Sequence, residues 1–428
     1  MSLIIQHLFS GMNSSSSSRI QLKPGQVFLG NVTKWYPDQL AQLKLGPLHV
    51  TAKLEASLEK GKVYLFRVMG SEGVPRLKVI DSAPVISPSN IPSEQSANMV
   101  LRQMGLGQSY NNVLLVQRFI QENIPFTQQN ISEGAALLQS SSMDREQNLN
   151  LVVKMLQYSL PLTKDTFLSF ASLSSDRTIS EAIRSLEKAL SVKSSFQSSH
   201  SPLAQLLQSV VIKGEEIQAT GKTGGLNGQN LLDIFVKVGL QDEWNVRQYS
   251  KQASTLKSML LQLIQDPSQN ESAVRRHAEF IVQRLTALQL LSRDDSYISH
   301  TVMQFPVEWG GVQRDWTVQW EGRKDNSGII DEDHCRIVFY LQLEYLKETL
   351  IDVQIQNRVI TLTIFNDNEK PTSFQRDWYP FLKEQLHSLN YHLSAIKWTT
   401  PPSSPDDQKT VSELDRDKSM YRGVDIRI

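Results

Sequence analysis

The run Asp331-Glu332-Asp333-His334-Cys335 places carboxylates, an imidazole and the chain's single thiol within five positions. These groups could bind a transition metal, or activate a thiol for attack. Their setting argues against both. The run leads into an alternating stretch, and in a strand neighbouring side chains point to opposite faces, so His334 and Cys335 would not share a substrate. No second cluster completes a metal shell. A solvated strand edge is the expected role, with Cys335 a small core residue beside Ile337 and Phe339. His387 and His392 lie five apart and miss the i, i+4 spacing of a helical metal pair. Gly221-Lys222-Thr223 ends like a phosphate loop, but the glycine needed five residues earlier is Glu216. GLGQSY, from Gly105 to Tyr110, lacks the third glycine of a dinucleotide turn and follows a helical pattern rather than a strand. There is no Gly-x-Ser-x-Gly elbow. The residues indicate a non-enzymatic protein with no catalytic, cofactor-binding or metal-binding positions.

The elements that would carry these residues fall into several blocks. A chain of 428 residues corresponds to about three domains at ~150 residues each. With 44 basic and 44 acidic groups there is no overall charge to draw the chain to nucleic acid, and no nucleic-acid partner is expected. One cysteine allows no internal disulfide, as suits a reducing cytosol or a protein exported unfolded. No run of ~18 apolar residues occurs, so membrane insertion is not expected. Residues 1–22 have no basic region before their apolar run and read as a flexible N-terminus rather than a secretion signal.

Short β-rich runs from Gln26 to Ile80, punctuated by glycines, predict a small all-β, barrel-like domain over 23–81. DSAPVISPSNIP predicts a linker over 82–92. The period then becomes 3.6. Leu115, Val116 and Phe119 recur as Leu151, Val152 and Met155, thirty-six residues on. In both copies a proline follows, Pro125 or Pro161, and then a threonine, Thr127 or Thr163, placed to cap the next helix. Thr178-Ile179-Ser180-Glu181 is a capping box. These signals predict repeated helical hairpins over 93–193, a linker over 194–201 and a further helical region over 202–295. That region would hold helices at Pro202–Lys213, Gly228–Gly239, Asn245–Gln265 and Glu271–Ser292. Beyond His300 the period is two. A strand at Trp316–Trp320, the alternating Cys335–Leu343, a hairpin around Asn357-Arg358, a helix over Ser373–Leu389 and a strand at Leu393–Thr399 predict an α+β domain over 301–400. In that helix Phe374, Trp378, Leu382 and Leu389 would share a side. A polar tail over 401–428 is expected to be disordered.

The C-terminal pattern, FPVEWGGVQRDWTVQW, RIVFYLQLEYL, LIDVQIQNRVITLTIF and DWYPFLKEQLHSLNYHL closing with IKW, resembles the flagellar hook-length control family. The paired helix-proline-threonine units and the N-terminal barrel are similar to the layout of its Gram-positive members. The resemblance implies a multidomain protein that is cytoplasmic, or exported through the flagellar type III apparatus. Its C-terminal domain would bind the cytoplasmic domain of the export-gate switch protein and change export specificity. The family's motif region maps here to Leu346, Lys347, Glu348 and Thr349, with Asp352 and Gln354 expected on the outward face. Where the family typically has Leu-Gly before its V-x-V strand, this chain has Glu348-Thr349. A scaffold that keeps the fold without a role in export is the alternative reading.

Overall fold

A computed structural model describes residues 22–45, 48–56, 58–70, 74–80, 94–140, 144–192, 202–213, 233–234, 236–239, 255–267, 273–294, 298–309, 311–324, 330–372 and 374–401. Most of the expected N-terminal segment lies outside them, as do the linkers at 82–92 and 194–201, the Gly221-Lys222-Thr223 loop, half of the helix expected at Gly228–Gly239, the first part of that at Asn245–Gln265, and the C-terminal tail beyond residue 401. Helices and strands are mixed, and the chain divides into two compact units, the first within Ser17–Ala171 and the second from Ser172 onward.

The first unit opens with five strands: β1 (Val27–Trp35), β2 (Leu40–Leu45), β3 (Leu48–Leu54), β4 (Val63–Gly70) and β5 (Arg76–Val79). They close a barrel in the order β1-β2-β3-β5-β4, with β3 and β5 parallel. Strict alternation drives the closure. Ala41, Leu43 and Leu45 of β2, Ala52 and Leu54 of β3, and Leu77 of β5 all point inward around Phe66, while their polar neighbours stand outside. Five helices follow: α1 (Glu94–Gln103), α2 (Tyr110–Gln121), α3 (Gln128–Ser140), α4 (Arg145–Gln157) and α5 (Lys164–Leu173).

The helices α2–α3 and α4–α5 form two hairpins with equivalent corners. After α2 the backbone turns left-handed at Asn123 (φ 54°), and after α4 at Ser159 (φ 56°). In each, the amide three residues beyond the helix bonds back across the end: Ile124 to the Phe119 carbonyl and Leu160 to the Met155 carbonyl, both at 2.8 Å. This satisfies a carbonyl that the helix leaves free. The caps are also equivalent. The Asn130 amide donates to Thr127 Oγ1 at 3.3 Å and the Thr166 amide to Thr163 Oγ1 at 3.2 Å. Every part of the repeated motif thus stops, turns or restarts a helix.

The second unit contains α6 (Ile179–Val192), α7 (Pro202–Ser209), β6 (Ile212–Lys213), α8 (Leu256–Gln265), α9 (Ala273–Leu291), β7 (Arg293–Asp294), β8 (Ile298–Trp309), β9 (Val312–Lys324), β10 (Ile330–Leu343), β11 (Lys347–Gln356), β12 (Val359–Phe365), α10 (Tyr379–Ser388) and β13 (His392–Thr399). The expected capping box is formed at the entry to α6, with Thr178 N–H on Glu181 Oε2 (3.2 Å) and Glu181 N–H on Thr178 Oγ1 (3.0 Å). One sheet runs β13-β12-β11-β10-β9-β8-β6, with β7 on β8. Only β6–β8 and β12–β13 are parallel pairs.

Two elements differ from expectation. The helix expected over Pro202–Lys213 ends at Ser209, because Ile212 and Lys213 are drawn into parallel pairing with Val307 and Glu308. The sheet also begins earlier than Trp316, since β8 is a twelve-residue strand from Ile298. Pro306 and burial of both Val302 and Phe305, which point to opposite faces, hide its alternation.

Helices α6 and α9 cover the β8–β9 end of one face, and several polar bonds tie them to it. Arg284 of α9, buried, donates through Nε to Gln304 Oε1 at 2.9 Å, and Gln304 donates to Thr317 Oγ1 at 3.0 Å. Beside them Gln319 bridges His300 and the Tyr340 hydroxyl. Asp315 accepts the Ile179 amide at 2.7 Å and the Ser180 amide at 3.1 Å, so a carboxylate from β9 receives free donors at the start of α6. Burial pushes the Asp315 carboxyl up, against the pull of those bonds and of the Ser180 hydroxyl. On the opposite face α10 lays Tyr379, Leu382 and Leu386 over a core of Cys335, Ile355, Ile360, Leu362 and Leu393.

Candidate partner-binding surface

The reactive residues singled out from the sequence are held in local pairs or in the core. His334 Nδ1 lies 2.8 Å from Asp331 Oδ2 and its Nε2 lies 3.0 Å from Asn357 Oδ1. Asp333 takes the Arg358 guanidinium at 2.9 Å. Cys335 points to the other face, within the core. Burial pushes its thiol up, and the neighbouring carboxylates add to the shift. That is the reverse of what a nucleophile needs. The His387 and His392 rings come within 5.6 Å, but among the described residues no group of three or more His, Cys, Asp or Glu could hold a metal.

Of the six residues expected to contact a partner, Leu346, Lys347, Glu348 and Thr349 lie at the turn between β10 and β11, while Asp352 and Gln354 lie further along β11, and together they do not form one surface. Pairing of Leu343 with Lys347 leaves Glu344, Tyr345 and Leu346 as the loop. Lys347 is exposed and left-handed at φ 58°. Alternation along β11 then sends Thr349 to the face of Ile351 and Val353, and Glu348, Asp352 and Gln354 to the other. Thr349 and Asp352 are both buried. The expectation that Asp352 faces outward is therefore corrected. Its two oxygens receive Arg336 Nε and Nη2, each at 2.8 Å, from the adjacent strand. Burial favours the neutral guanidine, yet the paired carboxylate outweighs it and holds Arg336 above its ordinary value. Asp352 is a buried strand-to-strand tie, and Gln354 is half-buried beside it.

Asn366, at the end of β12 and wholly buried, organises the tip instead. Its Nδ2 faces the Leu346 carbonyl (2.8 Å), the Glu348 carbonyl (3.1 Å) and Thr349 Oγ1 (2.8 Å), while its amide donates to Thr399 of β13. Asn368 adds a bond to the Leu346 carbonyl at 3.3 Å and accepts Trp398 Nε1 at 3.0 Å through its own carbonyl. Trp398 stacks edge-on with Phe374 at 5.7 Å. The loop is fixed from beneath, and it holds out Tyr345, whose exposure is 86%.

A second apolar group stands on the last helix. Residues Phe374–Trp378 form a π turn before α10. Trp378 sits at the junction of that turn with α10 and Leu389 lies just past the last helical residue, Ser388, so neither shares the inward face with Leu382, as the sequence pattern had suggested. Trp378 (61% exposed), Phe381 (46%) and Leu389 (64%) lie outside, and the Trp378 and Phe381 rings meet at right angles 6.5 Å apart. Sequence reasoning missed Tyr345 and Asn366. The signal for Tyr345 was an aromatic in a three-residue hairpin loop, while that for Asn366 becomes legible only once β12 is placed beside β11.

An uncharacterized protein of Bacillus subtilis (strain 168), YlqG, is 36% identical over 124 residues, covering 29% of this chain and 21% of that protein. The chain thus matches about a fifth of that relative's length. No protein-family model and no solved structure matches the chain.

Proposed function

We propose that this chain is a non-enzymatic docking protein of the flagellar hook-length control type. Its second unit would bind the cytoplasmic domain of the export-gate switch protein and bias the gate from hook to filament subunits. The observation that supports this is Tyr345, an almost fully exposed aromatic on a loop held by Asn366. A rigid aromatic loses little freedom when a partner covers it, which is the usual property of an interface anchor. Lys347 beside it and the Trp378–Phe381 pair extend the apolar and charged area available. In this reading the first unit, with its barrel and helical-hairpin repeat, is a separate domain of a multidomain protein. The chain acts in the cytoplasm before any export; among the described residues no helix is long and apolar enough to cross a membrane.

The test has two parts. Deletion of the gene is expected to give elongated hooks without filaments, and normal motile cells would overturn the reading. In a binding assay with the full chain, the export-gate domain should bind, and Tyr345→Ala should weaken it by tenfold or more. The burial of Thr349 where the family typically has glycine favours one second reading, a scaffold that keeps the fold. Normal hooks together with no export-gate binding is the result that reading expects.

A further inference from the structure

The five barrel strands carry Lys34, Lys44, Lys53, Arg67, Arg76 and Lys78 and not one carboxylate. A chain whose charges balance overall has segregated them here. The described carboxylates of this region, Asp38, Glu55 and Glu59, lie outside the strands, and Glu59 is paired with Lys62.

The barrel closure brings the cations together on one side. Outward residues of β2, β3 and β5 are Leu40, Gln42, Lys44, His49, Thr51, Lys53, Arg76 and Lys78, all polar except the half-buried Leu40 at the start of β2. Cross-strand register sets Lys44 opposite His49, Gln42 opposite Thr51, and Lys53 directly opposite Arg76, with Lys78 opposite Arg67 on β4. Directly opposed like charges destabilise a sheet, and this barrel contains two such pairs. Arg67 is engaged by the Gln103 carbonyl at 2.8 Å. Lys44, Lys53, Arg76 and Lys78 are exposed, and among the described residues none has a carboxylate within ion-pair distance. At the β1–β2 end, Lys34 sits over the ring of Tyr36, 5.0 Å from its centre, and that ring is 37% exposed.

We infer that this face binds single-stranded nucleic acid, tracking its phosphates along β2-β3-β5 with Tyr36 offering a ring to a base at the margin. Cations in a sheet repeat at about 5–7 Å, along and across strands. Lysine, arginine, threonine and glutamine are the side chains that contact phosphate. A protein interface would instead need apolar or aromatic anchors at its centre, with lysine depleted, whereas the apolar residue on this face is the half-buried Leu40 at the start of β2. Five-stranded Greek-key barrels commonly bind oligonucleotides across the corresponding strands. The inference concerns the first unit and does not depend on the function proposed for the second.

The experiment is a titration of the full-length protein with a fluorescent oligothymidylate of roughly 20 nucleotides, longer than the ~4–16 that one such fold covers. Four phosphate contacts predict a slope of log K against log salt of about −3, at about 0.7 per contact on a single strand. Lys44→Gln, Lys53→Gln, Arg76→Gln and Lys78→Gln together should reduce affinity at least a hundredfold at low salt. One of them alone should reduce the slope by about 0.7. Tyr36→Ala should weaken binding about fivefold or more at an unchanged slope. All are surface changes, and an unaltered circular dichroism spectrum checks the fold. Absence of binding at low salt, or a quadruple variant that binds as tightly as the parent, would overturn the inference. So would equal affinity for polyglutamate, which would assign the face to an acidic protein, or a marked preference for duplex over single strand.

Discussion

The two helical corners of the first unit share a frame and differ in what fills it. Ile131, Gly134 and Leu137 line the buried side of α3, and Phe167, Phe170 and Leu173 occupy the equivalent places on α5. Where the first copy has a glycine, the second has a phenylalanine with no exposed surface. The reason lies in the neighbours. A Cβ on Gly134 would stand 3.2 Å from Leu115 and 3.3 Å from Val152, so α3 presses closely on both α2 and α4. The first corner also adds a backbone tie to the barrel, with Val27 N–H on the Phe126 carbonyl at 2.8 Å and Phe126 N–H on the Val27 carbonyl at 3.0 Å. A repeated backbone therefore does not mean repeated packing. One copy is fitted between elements, and the other builds its own core around a ring.

The largest expected effect tests that difference. Phe170→Ala should destabilise the first unit by about 3–5 kcal/mol, the usual loss when a buried aromatic is truncated and its site cannot collapse. Gly134→Ala, which adds a methyl at the equivalent position of the first copy, should move stability by no more than about 1 kcal/mol. Its gain in helix propensity is offset by the tight contacts with Leu115 and Val152. Urea unfolding of the full chain, followed in the transition that belongs to this unit, measures both. A loss below about 1 kcal/mol for Phe170→Ala would mean that the ring is not the centre of the second hairpin.

A smaller effect separates the cations at one equivalent position. Arg118 of the first copy reaches Glu122 at 3.6 Å and also pairs closely with Glu146. Lys154 of the second copy is partly buried, and that burial lowers its amine to about 8. Because the folded value lies below the unfolded one of 10.5, the unfolded chain binds the extra proton between these two values. Stability should therefore rise as pH increases from about 8 to 10.5, and the full penalty applies below that window. Lys154→Met should stabilise the unit by about 1–2 kcal/mol at pH 7, less than the shift alone implies, because part of the side chain still meets water. The gain should fade toward pH 10. Arg118→Met should cost about 0–1 kcal/mol with no such pH trend. A gain at position 154 that is constant from pH 7 to 10 would remove burial of the charge as its cause.

The corners were legible because everything in them is local: period, proline, threonine and a cap partner three residues on. The barrel strands were legible from alternation, but their charge segregation was not. It depends on the parallel pairing of β3 with β5, which sets Lys53 against Arg76. In the second unit the tip around Leu346 and Lys347 could be located from sequence, while its support could not, since Asn366 lies twenty positions beyond Leu346. Asp352 was misplaced for the same reason. Its partner Arg336 is sixteen residues away, and a strand pattern states which face a residue takes but not what covers that face. The expected apolar side of α10 failed at the helix ends, where a π turn takes Phe374–Trp378 and the helix stops at Ser388, neither of which regular periodicity anticipates.

The smallest effect concerns the turn itself. Asn123 and Ser159 take the same left-handed conformation, within two degrees in φ, and both are exposed. They should not tolerate it equally. Asparagine visits this region with its short amide bonding locally, whereas serine lacks that help. Glycine has no Cβ and is the preferred residue at this place in a helix stop. Ser159→Gly should therefore gain about 0.5–1 kcal/mol, the relief of strain exceeding the greater freedom glycine gives the unfolded chain. Asn123→Gly should stay within about 0.3 kcal/mol of the parent, because the relief and that freedom nearly cancel. Paired denaturation curves would resolve the two. Equal gains would show that the side chain at this position is immaterial, and that the two corners are alike in strain as well as in shape. An unequal result in the expected direction places part of the difference between the copies in the turn, separate from the packing around Gly134 and Phe170.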